Sequence, residues 1–170
     1  MRFRGSTYLI VLSSKPFRKA IPFIGAVLNN LNLELSTEKT RITTAKEGFD
    51  FLGFHFFRKY VYSYNKEHTY VRPTKQSLKS VKTRIDIITQ EAVNGDIEET
   101  VKSLNLMMRG WSNYYRDIEA YKTLEKVQNY AMNRLRKYMR RRNTKPGFGY
   151  KEYNYEYMMK IGYKPIVTRR

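Results

Sequence analysis

Pro73 divides the chain into two kinds of pattern, and that division restricts the fold more than any other feature. Ahead of it, apolar side chains alternate with a period of two, as in strands; after it they recur at steps of three and four, as in helices. The predicted fold class is therefore α+β, a small antiparallel β region followed by an α-helical bundle. At 170 residues the chain can bury a core without disulfide staples, and it contains no cysteine.

Thr7 to Leu12 reads as a strand closed by Ser-Ser-Lys-Pro, with Pro16 opening a helix that carries Phe17, Ile21, Ile24, Val27, Leu28 and Leu31. Asn29, Asn30 and Asn32 end that helix, which is expected to pack on the strand. Leu33 to Ile42 alternates at both ends. Phe49 to Phe57 reads as one strand, with Phe49, Phe51, Gly53, His55 and Phe57 on one side and Asp50, Leu52, Phe54 and Phe56 on the other. Gly53 marks a bulge or the close approach of another backbone. Tyr60 to Tyr64 and Thr69 to Arg72 form a hairpin around Asn65 to His68, and His55 is read as a satisfied or half-exposed strand histidine rather than a ligand or a base.

Beyond Pro73, Leu78, Val81, Ile85, Ile88 and Ala92 make the apolar seam of a helix whose flank carries Lys75, Lys79, Lys82 and Arg84. Asn94 and Gly95 stop it, and Asp96 caps the next, with Glu99 in the reciprocal position. That next helix, or pair of helices, runs to about Ile118. Leu104, Met108, Trp111, Tyr115 and Ile118 form its buried face, while Arg109, Asn113 and Arg116 project elsewhere. A further helix begins near Thr123 and packs with Leu124, Val127, Ala131, Leu135, Tyr138 and Met139. Asn143 to Gly149 is a linker, and the tyrosine- and lysine-rich tail after it is expected to fold back onto the helices.

Charge limits the partners. Lys and Arg number 33 against 15 Asp and Glu, a net +18, which attracts a polyanion and opposes compact folding unless neutralised. Fifteen tyrosines and nine phenylalanines among these cations suit unpaired RNA bases better than lipid headgroups. No apolar run approaches the roughly 20 residues of a membrane span, and no signal peptide is expected at Met1. Two histidines and no cysteine make a zinc site improbable. Between Arg134 and Arg142, six of nine residues are cations with no acid among them. A helix dipole accounts for one or two such charges, so the run reads as a phosphate-contacting surface, with a purely structural role as its alternative.

Four pieces occur in order: Leu33-Glu-Leu-Ser-Thr-Glu-Lys-Thr-Arg-Ile42, Gly48-Phe-Asp-Phe-Leu-Gly-Phe54, Arg72-Pro-Thr-Lys75 and Leu104-Asn-Leu-Met-Met-Arg-Gly-Trp-Ser-Asn-Tyr-Tyr-Arg116. Together with the basic helix and tail they resemble the C-terminal part of group II intron reverse transcriptase/maturases. The resemblance implies a degenerate palm remnant over residues 1–73, a helical thumb, or maturase domain X, over 74–143, and a basic tail over 144–170. It makes Phe51, Leu52, Gly53 and Phe54 primer-grip-like. The family's metal-binding Tyr-Ala-Asp-Asp turn is replaced by Arg4, Gly5, Ser6 and Thr7, and the fingers and first half of the palm are expected to be absent. Two magnesium ions need paired carboxylates, so no reverse transcriptase activity, metal or cofactor is expected.

The function that follows is that of an RNA-binding maturase fragment serving group II intron splicing. Its expected RNA contacts are Lys75, Lys79, Lys82, Arg109, Arg116, Arg134, Arg136, Lys137, Arg140, Arg141 and Arg142, with Tyr114 for stacking. One alternative is a structural component of a large ribonucleoprotein, such as a mitochondrial ribosome, in contact with ribosomal RNA and other proteins. A second is one half of a split reverse transcriptase. No membrane or small-molecule substrate is expected. Heavy use of Lys, Asn, Tyr, Ile and Phe fits an AT-rich genome, hence a mitochondrial matrix or, alternatively, a bacterial cytoplasm.

Overall fold

A computed structural model describes residues 20–34, 43–91, 95–118, 120–144 and 146–167. The chain forms two compact units, Met1–Thr44 and Ala45–Arg170. The first contains helix α1, Ala20–Asn30, with Pro22 in the opening turn, where a missing N–H costs no helical bond. It ends just before Asn32, which adopts a left-handed φ of 56°. The strand expected at Thr7 to Leu12, the four residues Arg4 to Thr7 and most of Leu33 to Ile42 lie outside the described residues.

The second unit begins with an antiparallel sheet in which β1 (Phe49–Phe51), β2 (Phe54–Val61) and β3 (Lys66–Pro73) are neighbours in sequence order. The single strand expected from Phe49 to Phe57 is instead a tight hairpin, with Phe49 opposite Phe56 and Phe51 opposite Phe54. Its two-residue turn, Leu52 and Gly53, has φ of 46° and 80°, the pair of left-handed conformations whose twist matches the flanking strands. Phe49, Phe51, Phe54 and Phe56 consequently share one face, with Phe49 and Phe56 stacked at 5.2 Å. Gly53 is the site of a close approach rather than a bulge: a Cβ there would lie 3.0 Å from Tyr115 Oη. In the second hairpin the turn comes earlier than expected. Asn65 takes the left-handed position at φ 48°, so Lys66, Glu67 and His68 already belong to β3.

Thr74 joins sheet to helices. Its N–H donates to Gly53 O at 2.9 Å, and its Oγ1 accepts the Ser77 N–H at 3.1 Å, capping α2 (Lys75–Glu91). Helix α3, Ile97–Tyr114, is capped by Asp96, whose carboxylate accepts the Glu98 N–H. It stops four residues short of Ile118. Leu104 and Met108 are fully buried, but Trp111 is only half-buried, its indole N–H donating to Ser77 Oγ at 3.1 Å. Helix α4 spans Tyr121–Arg142 and contributes Val127, Ala131, Leu135, Tyr138 and Met139 to a core shared with Val81 and Ile85 of α2.

The tail folds back as expected. Tyr153, Met158 and Tyr163 enter the same core, and the short helix α5 is Tyr155–Lys160, capped by Asn154. Two side-chain amides hold the backbone that follows. Asn105 donates to Gly162 O at 2.7 Å and accepts the Lys164 N–H at 2.8 Å. Buried Gln128 accepts the N–H groups of Ile166 and Val167 at 2.8 and 2.9 Å. Among the described residues no helix is long and apolar enough to cross a membrane.

Candidate nucleic-acid interface

The six cations at the end of α4 are not equivalent. Successive helical residues point about 100° apart, so a continuous run must send some side chains inward. Arg134 turns toward α2, where its Nε lies 2.6 Å from Asp86 Oδ1; Tyr130 Oη donates to the same carboxylate at 2.7 Å. Burial, and then the bond to Asp86, raise the Tyr130 phenol above its ordinary pKa. Arg136 is buried: its Nε–H donates to Tyr153 O at 3.0 Å, an η nitrogen donates to Asn133 Oδ1, and the guanidinium lies over the Tyr150 ring. Desolvation there draws its pKa below the ordinary arginine value. Arg140 donates to Gly147 O, and Arg142 donates to Gly95 O, closing helix ends and loops.

Lys137 and Arg141 face solvent and make no ion pair among the described residues. They end an exposed row with Lys122, Lys126, Asn129 and Asn133, spaced by three or four residues along α4. The row is about 28 Å long at 1.5 Å per residue. The one acid of α4, Glu125, is half-buried at the edge of the row, three residues from Lys122 and four from Asn129, and no ion pair joins it to the row's lysines among the described residues. Lys82 flanks the row, its Nζ 5.3 Å from the centre of the Tyr130 ring, while Lys75 and Lys79 are exposed earlier on α2. Density of charge drew attention to Arg134 to Arg142; the i to i+4 spacing from Lys122 was the signal that identifies the outward members.

A second cationic surface lies between α3 and the folded-back tail. An open groove of about 1230 Å³ is lined by the cations Lys102, Arg109, Lys160 and Lys164, by the acids Asp96 and Glu98, the latter 3.8 Å from Lys102 Nζ, and by Leu106 and Pro165. Arg109 was expected from sequence. Lys102 shares α3 with it, two turns earlier, whereas Lys160 and Lys164 join it only because Asn105 pins the tail across α3. Arg116, in the turn after α3, is exposed and sits 3.4 Å from Asp117.

Tyr114 does not stand free for stacking on a base. It donates to Leu52 O at 2.7 Å, and its ring stacks on Phe54 at 5.1 Å. Tyr115, whose phenol is raised chiefly by burial, places its Oη 3.1 Å from Gly53 O and 2.7 Å from Ser77 Oγ. Phe51, Leu52, Gly53 and Phe54, expected from the resemblance to be primer-grip-like, form a hairpin tip clasped by Tyr114 and Tyr115 at the end of α3.

None of the curated proteins matches the chain. Residues 78–155, which hold most of α2, all of α3 and α4, and the start of α5, match the family described as group II intron, maturase-specific domain. The motif resemblance and the observed helical bundle converge on one conclusion: over residues 78–155 this chain carries the maturase-specific domain of group II intron proteins, which supports a maturase-type function in group II intron splicing.

Proposed function

We propose that this chain binds structured intron RNA through the exposed face of α4 and assists its folding for splicing, without reverse transcription of its own. One observation carries the proposal: Lys122, Lys126, Lys137 and Arg141 are aligned, exposed and make no ion pair among the described residues, on a domain of the maturase-specific family. A cationic row on a rigid helix meets phosphates without reordering, so little of the binding energy goes into fixing it. The absence of polymerase chemistry is supported by Arg4, Gly5, Ser6 and Thr7, which offer no carboxylate where the resembling family has two. Arg134 and Arg136 serve the fold in this scheme, and Lys137 and Arg141 serve the RNA.

The test is a salt titration of binding to a folded group II intron RNA. Each phosphate contact contributes roughly 0.7 to 0.9 to the slope of log K against log salt. Replacing Lys122, Lys126, Lys137 and Arg141 by glutamine should flatten that slope by about 3 and leave the melting temperature unchanged. An unaltered slope removes α4 from the interface.

A further inference from the structure

The register of the sheet gives it two unlike faces. Phe54 and Phe56 lie on the face that meets Tyr114 and Tyr115. The opposite face carries His55, Phe57 and Lys59 from β2 and His68, Tyr70 and Arg72 from β3. The outer face of an antiparallel sheet is ordinarily polar, yet here four rings make a continuous line across it. His55 and Phe57 are 5.4 Å apart, Phe57 stacks on Tyr70 at 5.3 Å and 18°, and His68 meets Tyr70 at 4.7 Å. His55, Phe57 and Tyr70 are half-buried, whereas Lys59, His68 and Arg72 are exposed.

The cations on this face sit on its rings. The Arg72 guanidinium is 4.3 Å from the centre of Phe57, and Lys59 Nζ is 5.7 Å from the same ring. Neither has a carboxylate partner among the described residues. Nearby acids are committed elsewhere: Asp50 accepts from His55 at 2.6 Å, and Glu67, on the other face, pairs with Lys46 and Arg58 at 3.1 and 3.5 Å. The two cation–π contacts, worth only about 0.5 to 1 kcal/mol each where exposed, involve three of the six residues and are too little to explain why all six gather on one surface. The face has positive charge for phosphates and flat rings for bases, the pair of features by which single strands are held; a paired helix hides its bases and would use only the charge.

We propose that this face of the sheet is a stacking site for an unpaired RNA strand, built around Phe57, Tyr70 and Arg72. It rests on the RNA-binding role given above but uses a different surface from the α4 row. The probe is a short unstructured oligoribonucleotide carrying 4-thiouridine, compared with a perfect RNA duplex. Photocrosslinks to the unmodified protein should fall within β2 and β3. The Phe57→Leu, Tyr70→Leu double variant should bind the single strand about tenfold more weakly and the duplex as before. Arg72→Gln, which leaves the rings intact, should weaken single-strand binding severalfold and serves if the double variant folds poorly.

Crosslinks confined to the helices, or single-strand binding unchanged by Arg72→Gln and by the leucine pair, overturn the proposal and leave the α4 assignment standing. Equal loss of duplex and single-strand binding also overturns it, because the face would then supply charge without reading unpaired bases. If instead the α4 glutamine variant retains duplex binding while the sheet variants lose the single strand, the α4 assignment falls and this one holds.

Discussion

Replacing Tyr163 by phenylalanine should make the protein more stable, increasingly so as the pH rises. The Tyr163 ring is 2 % exposed, and its hydroxyl has no hydrogen-bond partner among the described residues. Leaving a buried hydroxyl unsatisfied costs about 1 to 3 kcal/mol, and phenylalanine keeps the ring while removing that group. Allowing for the small void left behind, the gain at pH 7 should be about 1 kcal/mol. Burial, reinforced by Tyr155, raises the Tyr163 phenol well above its ordinary value, so it stays protonated in the folded protein when the unfolded chain ionises near pH 10. A raised folded pKa gives stability that is complete below about pH 10 and is lost as the pH climbs toward the folded value. Phenylalanine has no such loss. Each pH unit above 10 should therefore widen the gap by about 1.4 kcal/mol, to about 2.4 kcal/mol at pH 11. Tyr115 and Tyr130, also raised, are present in both proteins and cancel. Urea unfolding followed by circular dichroism at pH 7, 9 and 11 measures the difference directly. A variant less stable than the parent at pH 7, or a gap that stays constant from pH 9 to 11, would refute the reasoning.

Arg136→Gln should cost about 2 to 3 kcal/mol, because it abandons the Tyr153 carbonyl and a buried charge-assisted bond, whereas Lys137→Gln one residue away should change stability by less than about 0.5 kcal/mol. Thermal melts of the two variants settle the contrast, and equal effects would contradict the division of α4 into inward and outward cations. Gly53→Ala should lose about 1 to 2 kcal/mol, since φ 80° strains any Cβ and the added atom lies 3.0 Å from Tyr115 Oη. Unchanged stability in the same melt would mean that the Leu52-Gly53 turn is not held as described.

The helices were legible because their signals are local. Apolar spacing identified the cores of α2, α3 and α4, and Asp96 announced the start of α3. The Phe49 to Phe57 region misled because apolar Leu52 fills the turn and hides the break in alternation between Phe51 and Phe54, and because leucine is an unusual occupant of a left-handed position. Gly53 was the one visible hint. Charge in the Arg134 to Arg142 run showed that a polyanion would be welcome but not which arginines would face it; that depends on Asp86 and on Tyr153, 48 and 17 residues away from their partners. The groove beside α3 had no sequence signal at all, since it exists only where the tail crosses Asn105.

The amide clamps on the tail have a consequence for evolution and for folding order. Asn105 and Gln128 bind the tail's peptide groups, not its side chains, so exposed Lys164 can change in sequence while the path is preserved, whereas Gly162 at φ 87° and core Tyr163 cannot. One clamp stands on α3 and the other on α4. The tail can therefore engage both only after those two helices have come together. Slow hydrogen exchange at Lys164, Ile166 and Val167 would act as a latch indicator, reporting that the bundle has closed.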